Sequence, residues 1–336
     1  MKLSPKPRKH FGLVMVLLAI IIIYILLLSY PWQKQKLENC ICLLECQYCF
    51  GLTAPGCDTV YFSGVKDDTI LTDMTCRTLS AMQTTYGSAF WYSQIPLLHL
   101  CRGQLLTTAT IAAADSIIPS LQDKIEQILT VQEVLTAKRE DAINHEEHFL
   151  SYYMSTHNVI DEGYNQMGEH AGNYQQMQND IRKVRTALSR LRASGEVRVE
   201  YFATYIVHQH LGKDSAKVIS DTCRRIGTKG NIVRLQTLSG KMPQGAFCLA
   251  SKGITSMTFS FQDTRKHATL IAYNCPVTHE TPLQQLKKHT ITGKVWKEGE
   301  GYRTSIPLLK RSEGAPLLDS QGHLLGIVSR DRILPY

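Results

Sequence analysis

Apolar residues recur at alternating intervals of three and four positions from Ile118 to Leu191. In this register 16 of the 22 positions are apolar, whereas 43% of the whole chain is hydrophobic. A seam with a period of 3.5 residues is buried only against another helix, so the pattern predicts a coiled coil. A single unbroken helix of this extent would be roughly 110 Å long. We therefore expect residues 103–195 to form a coiled-coil or helical-hairpin segment.

Three glycines decide between these two forms. Each of Gly163, Gly168 and Gly172 costs a helix interior roughly 1 kcal/mol relative to alanine, and together they can mark the turn of an antiparallel hairpin. The spacing of three and four nevertheless continues through them, which a loop does not require. We favour a continuous or kinked helix that forms a homo-oligomeric stalk through residues 118–191. The hairpin remains the alternative.

The N-terminal apolar stretch, residues 11–33, contains no charged residue and has the length of a membrane-spanning helix. It predicts a single-pass anchor in a lipid bilayer. A cleaved signal peptide is the alternative, but no pair of small residues follows the stretch at a cleavage-site spacing. Four basic residues precede the stretch and two follow it closely, so the bias in positive charge places residues 1–10 in the cytoplasm and the bulk of the chain outside it.

Seven of the ten cysteines lie between Cys40 and Cys101. Outside the cytoplasm, such a cluster indicates a disulfide framework, so residues 34–102 are predicted to form a cysteine-rich neck. The alternative is a metal site, because thiolates at these spacings can converge on zinc or an iron–sulfur cluster. Its ligands would be Cys40, Cys42, Cys46 and Cys49. Since the spacing lacks two paired Cys-x-x-Cys elements, we favour disulfides and predict no metal and no cofactor.

The heptad pattern ends before residues 196–336, where shorter apolar runs replace it. Residues 199–211 and 216–226 are interpreted as short helices, and β-rich runs alternate with turn residues after Gly230. Many short strands at this spacing indicate a barrel or sandwich. The net charge of +8 is mild and contains no long run of like charges, so we predict no nucleic-acid partner. The expected fold is multi-part: a transmembrane helix, a long α-helical coiled coil and a mainly-β C-terminal domain.

The stretch Gly-Ala-Pro-Leu-Leu-Asp-Ser-Gln-Gly-His-Leu-Leu-Gly-Ile-Val, residues 314–328, resembles the segment after the nucleophile in trypsin-like (chymotrypsin-fold) serine proteases. The likeness covers about the last 100 residues. It implies a serine immediately before Gly314, a histidine base that contacts this serine, and backbone N–H groups that form an oxyanion hole. Glu313 occupies the position of that serine. The resemblance therefore implies a trypsin-like fold that has lost its catalytic chemistry.

These patterns give two hypotheses about function. The first is a membrane-anchored scaffold, tether or recognition protein, with a possible protein partner for its C-terminal domain. The alternative is a membrane-tethered serine protease that uses Ser312 with His208 or His210. The segment after Ala315 also resembles the closing half of a cystathionine-β-synthase-type nucleotide-sensing module, in which Asp331 would bind ribose. A simple β-hairpin accounts for the same residues.

Overall fold

The computed structural model describes residues 12, 14–22, 37–93, 101–211, 217–250, 266–273, 283–298, 301–309, 312–320 and 322–335. The chain forms two compact units, each built from separate segments. The first, called the β-unit here, comprises Met1–Cys46, Thr85–Ala113 and Tyr205–Tyr336. The second, called the hairpin unit, comprises Gln47–Thr84 and Ala114–Thr204. The predicted divisions at residues 34–102, 103–195 and 196–336 differ from these units.

The strands, in chain order, are β1 (Ile41–Thr53), β2 (Val60–Phe62), β3 (Gly64–Lys66), β4 (Ile70–Thr72), β5 (Gln83–Ser93), β6 (Gln104–Thr108), β7 (Arg198–Leu211), β8 (Lys217–Lys229), β9 (Ile232–Thr237), β10 (Leu249–Ala250), β11 (Lys266–Tyr273), β12 (Lys288–Glu298), β13 (Gly301–Thr304), β14 (Pro316–Asp319), β15 (Leu324–Ser329) and β16 (Arg332–Pro335). The α-helices are α1 (Thr78–Ala81), α2 (Ala109–Ala112), α3 (Ile118–Asp123), α4 (Ile125–Thr156) and α5 (Tyr164–Ser194). Single 3₁₀ turns cover Glu38–Cys40, Ala114–Ile117 and Leu283–Gln285.

Two closed six-stranded barrels are present. The first barrel belongs to an eight-stranded sheet of order β10–β5–β6–β9–β8–β7–β1–β2, and its six inner strands close where β1 also pairs with β5. The second barrel has the order β11–β12–β13–β16–β15–β14. One continuous apolar core within the β-unit includes Leu43, Phe90 and Leu106 from the first barrel and Leu270 and Ile327 from the second. The barrel alternative of the sequence prediction therefore describes the β-structure, although the first barrel also uses strands that precede residue 196.

The two segments that were interpreted as short helices are strands. Residues 199–211 lie in β7, and β8 covers nearly all of residues 216–226. The two strands pair in an antiparallel register that runs from Tyr205 opposite Cys223 to Leu211 opposite Lys217. Val199, Tyr205 and Val207 are buried on β7, and such β-branched and aromatic residues suit a pleated, half-buried surface. The interpretation of these two segments as helices was therefore wrong.

The long heptad segment is an antiparallel helical hairpin. Residues 157–163 connect α4 to α5, and the backbone N–H of Asn158 donates to Asp161 Oδ2 at 2.7 Å. Gly163 precedes α5 with φ +85°, a conformation that glycine adopts without strain. The favoured continuous helix and long coiled coil are therefore wrong. Residues 157–163 reverse the direction of the chain, even though the spacing of apolar residues continues through them.

The hairpin buries a different face of α4 from the predicted one. Leu135 and Phe149 belong to the predicted seam, yet 36% and 58% of their surfaces are exposed. The buried residues in this part of α4 are Thr136, Glu140, Ile143 and Leu150. Polar pairs hold the two helices in register. Arg182 Nε and Arg185 Nη1 donate to the Glu140 carboxylate at 3.2 and 2.7 Å, and Gln178 Nε2 donates to Asn144 and Glu147 at 2.6 Å each.

The predicted membrane anchor is contradicted. Gly12 and Val14–Ile22 are helical, and the rest of residues 11–33 lies outside the described part of the chain. Among the helices that the structure describes, none combines the length and the apolar character needed to cross a bilayer. The prediction of a single-pass membrane protein, together with the localisation derived from it, is therefore wrong.

The predicted disulfide framework is wrong as well. None of the nine cysteines in the described residues forms a disulfide, and Cys275 lies outside those residues. Cys40, Cys42, Cys46 and Cys49 are buried, so they fill the interior as small apolar side chains. Burial raises the pKa of Cys40 to about 12, which keeps this thiol protonated. Among the described residues, no group of three or more cysteine, histidine or acidic side chains could hold a metal ion, so the alternative metal site is not formed either.

Candidate functional site

The turn that precedes β14 contains the positions for which the sequence predicts chemistry. Ser312 N donates to Leu309 O at 2.8 Å, and Ala315 N donates back to Ser312 O at 3.0 Å. Gly314 lies between them with φ +78°. A Cβ atom at Gly314 would lie only 2.0 Å from the backbone oxygen of Ser88 on β5. The turn is therefore packed tightly against the first barrel, and only glycine fits at its centre.

Glu313 accepts hydrogen bonds at both its backbone carbonyl and its side-chain carboxylate. Its carbonyl oxygen accepts a hydrogen bond from Ser88 N at 2.9 Å. Its Oε1 accepts from the Thr108 hydroxyl at 2.6 Å, and its Oε2 accepts from Arg330 N at 2.5 Å. Only 8% of the residue is exposed. Glu313 thus connects the end of β6 to the turn between β15 and β16, and both of its carboxylate oxygens already have donors.

Ser312, the alternative nucleophile, is fully buried. Its hydroxyl is the one buried side-chain N or O atom in the described residues that has no hydrogen-bond partner. A serine nucleophile requires a base within hydrogen-bond reach. No such contact to Ser312 exists among the described residues, so the arrangement lacks the first pairing of a serine protease.

The two candidate histidines have other partners. His208 Nδ1 lies 2.8 Å from Ser220 Oγ, and its Nε2 lies 2.9 Å from Glu45 Oε2. His210 Nε2 lies 2.8 Å from the Leu283 carbonyl oxygen, which can only accept, so Nε2 carries the proton. Its Nδ1 lies 3.0 Å from the Tyr273 hydroxyl. Both rings therefore hold strands and loops together, and the structure does not pair either of them with Ser312.

Burial lowers the pKa of His210 below its ordinary value of 6.5, and Lys288 and His208 lower it further. The unfolded chain therefore binds this proton more readily than the folded chain. At neutral pH the His210 ring is uncharged in both states, so its protonation does not reduce the free energy of unfolding. As the pH falls from about 6.5 toward the folded-state pKa, the unfolded chain takes up the proton first and the free energy of unfolding decreases. Between about pH 7 and pH 5, the free energy of unfolding should fall less in His210→Gln than in the unchanged chain. Denaturant titrations across this range test the difference.

The exposed His267 supplies the control for that prediction. His267→Gln controls for the loss of an imidazole ring from an exposed position of the same chain. Equal pH slopes for the unchanged chain and His210→Gln would contradict the assignment of this dependence to His210.

The sequence reading missed the residues that contact the turn from the first barrel. Thr107 and Thr108 are fully buried at the end of β6, and Thr107 Oγ1 donates to Ser88 O at 2.9 Å. Thr108 lies 205 positions before Glu313 in the chain. No local pattern joins residues so far apart. The one available signal was a pair of threonines that ends an apolar run, Leu105-Leu106-Thr107-Thr108.

Comparisons with known proteins add little to this geometry. No family model matches the chain, and no curated protein matches it. Among solved structures, the crystal structure of Deg5 is similar, with a TM-score of 0.38 and 11% sequence identity over 90% of this chain and 85% of that chain. A similarity this low carries no argument about function. The two closed six-stranded barrels fit a chymotrypsin-like fold, in agreement with the coarse resemblance of residues 314–328.

Proposed function

We propose that this chain is a non-catalytic protein whose trypsin-like β-structure serves recognition or scaffolding of a protein partner. The observation that carries the proposal is Glu313. It occupies the position at which the resemblance requires a serine nucleophile, and its carboxylate oxygens accept hydrogen bonds from the Thr108 hydroxyl and the Arg330 backbone N–H.

The chemistry of this position supports the proposal. An acyl-transfer site stabilises a developing oxyanion with preorganised hydrogen-bond donors. A carboxylate beside those donors would repel the developing oxyanion. The side chain that contacts Glu313 from the first barrel is a threonine, which cannot act as a base near neutral pH. The site is therefore built to hold the fold and not to transfer an acyl group.

A serine protease that uses Ser312 is the second candidate, and the unpaired hydroxyl of Ser312 favours it. Two observations weigh against this candidate. Ser312 is fully buried, so a peptide substrate cannot reach it without a rearrangement of the turn. His208 and His210 each use both ring nitrogens for other contacts.

A fluorophosphonate probe distinguishes the two candidates, because it reacts covalently with an activated serine. We expect the full-length chain to remain unlabelled under conditions in which an active serine protease is labelled completely. Ser312→Ala is the matched control for any signal. Labelling of the unchanged chain that disappears in a folded Ser312→Ala variant would overturn the non-catalytic proposal.

A further inference from the structure

Two cysteines that are far apart in the chain lie side by side in the β-unit. Cys101 is in the segment that leads into β6, and Cys248 immediately precedes β10. In the sheet, β5 lies between these two strands, and its Tyr92 pairs with Leu249 on β10. The sheet therefore brings both thiols to the same end of β5, where a hydrogen bond joins their sulfur atoms.

The two thiols differ in exposure and in acidity. Cys101 is half-buried, whereas only 1% of Cys248 is exposed. The hydrogen bond with Cys248 lowers the pKa of Cys101 below its ordinary value of 9.0, because it stabilises the thiolate. The same hydrogen bond, together with burial, raises the pKa of Cys248. Cys101 is therefore the thiol that ionises more readily and that a small molecule from solvent can reach, and Cys248 is its protonated neighbour.

Other cysteines of the described part of the chain lack this combination. Burial raises the pKa values of Cys40, Cys42, Cys49, Cys76 and Cys223. A thiol with a raised pKa stays protonated, and the protonated form is a poor nucleophile. The position of the Cys101 sulfur is also defined, since it lies 3.3 Å from the Gln104 carbonyl oxygen. Thiol chemistry should therefore begin at Cys101.

We propose that Cys101 and Cys248 form an oxidisable thiol pair that reacts with hydrogen peroxide. The Cys101 thiolate attacks one peroxide oxygen, the O–O bond breaks and an S–O bond forms; the released hydroxide takes up a proton and leaves as water. The Cys248 sulfur then attacks the Cys101 sulfur, the S–O bond breaks, and the hydroxyl group leaves with the Cys248 proton as a second water. The two sulfurs together lose two electrons, which the peroxide accepts.

The contact between the sulfurs is the reason for the second step. Two thiols within hydrogen-bond reach need only small side-chain rotations to come within bonding distance. The half-buried position of Cys101 favours an oxidant as small as hydrogen peroxide. This pair differs from the framework predicted for the neck, because Cys248 lies far outside residues 34–102 and both residues are thiols in the structure. The bond forms only when an oxidant is present, and it ties β10 to the beginning of β6.

Treatment of the reduced full-length chain with hydrogen peroxide tests the proposal. N-ethylmaleimide then blocks the remaining thiols under denaturing conditions, and mass spectrometry counts the attached groups. The treated chain should carry two fewer N-ethylmaleimide groups than the untreated chain, and its digest should contain a peptide that joins Cys101 to Cys248. Dithiothreitol should restore both groups. Equal counts at a peroxide dose that oxidises free cysteine completely, or a link between other cysteines, would overturn the proposal.

Cys248→Ser should stop the reaction after its first step. Serine can still donate a hydrogen bond to Cys101, but it cannot displace the hydroxyl group from sulfur. Cys101 should therefore remain a sulfenic acid, which dimedone added afterwards labels, whereas Cys101 of the unchanged chain should escape the label. Dimedone on Cys101 of the unchanged chain, without a link to Cys248, contradicts the second step.

Cys57→Ser is the matched control for the loss of a thiol. Cys57 is half-buried like Cys101, but it belongs to the hairpin unit. This variant should form the link between Cys101 and Cys248 at the rate of the unchanged chain. Loss of the link in a folded Cys57→Ser variant would mean that oxidation begins at a thiol outside the pair. Far-UV circular dichroism confirms the folding of each variant.

Discussion

Gly314→Ala should destabilise the protein by roughly 2–6 kcal/mol, because two separate penalties add. The residue has φ +78°, a region that costs side chains other than glycine about 1–3 kcal/mol at constrained sites. A Cβ atom would also lie 2.0 Å from Ser88 O and 2.8 Å from Thr107 Oγ1. Relief of that overlap requires the turn to move away from β5 and β6. Chemical denaturation measures the loss as a decrease in the denaturant midpoint.

Gly230→Ala separates the two penalties. Gly230 also has a positive φ, +55°, but a Cβ atom there would have no neighbour within 4 Å. Only the backbone penalty remains, so this variant should lose about 1–2 kcal/mol. Equal losses in the free energy of unfolding for Gly314→Ala and Gly230→Ala would contradict a steric contact between the first barrel and the turn before β14.

Glu313→Ala should destabilise the protein by roughly 2–4 kcal/mol, because two donors lose their acceptor. The Thr108 hydroxyl is buried, and the Arg330 N–H is partly buried. An unsatisfied buried donor costs about 1–3 kcal/mol, whereas an ordinary surface substitution stays within about 0.5 kcal/mol. The measurement is the free energy of unfolding at neutral pH.

Glu313→Gln is the informative control for this effect. The glutamine Oε1 can accept from Arg330 N–H, and its Nε2 can donate to the Thr108 oxygen, since a hydroxyl both donates and accepts. We expect a loss below about 1 kcal/mol. A loss as large as that of Glu313→Ala would mean that the negative charge, and not the pair of hydrogen bonds, stabilises this position.

The sequence predicted the local β-structure after Gly230 well, because alternation and turn residues act over short distances. Strands β9, β11, β12, β14 and β15 correspond to five of the runs that were predicted to be β-rich. Of the other predicted runs, residues 246–250 contain only the two-residue β10, residues 304–309 form no strand after Thr304, and residues 254–261 lie outside the described residues. The antiparallel hairpin of β14 and β15 is present, with Gly322 N donating to Asp319 O at 3.1 Å. Each of these features depends on residues within about one hairpin of each other.

The first barrel could not be predicted in the same way. Some of its strands precede the helical hairpin in the chain and others follow it. Leu105 on β6, for example, pairs with Leu235 on β9. The strands β1, β5 and β6 all precede α4, so the residues after Gly195 supply only part of the first barrel. The contact between Thr108 and Glu313 was hidden for the same reason. The heptad pattern was real, but a helical period does not specify whether the partner helix belongs to the same chain.

The insertion of α4 and α5 between β6 and β7 has a consequence for the order of folding. Pairing of β6 with β9 must close a very long loop, and the entropic cost of closure grows with the logarithm of loop length. Contacts between α4 and α5 are local by comparison, as in the pair of Asn144 with Gln178. A hairpin that forms early brings its own two ends together and so shortens the loop that remains. On this basis the hairpin would nucleate the chain, and closure of the first barrel would be the slow step.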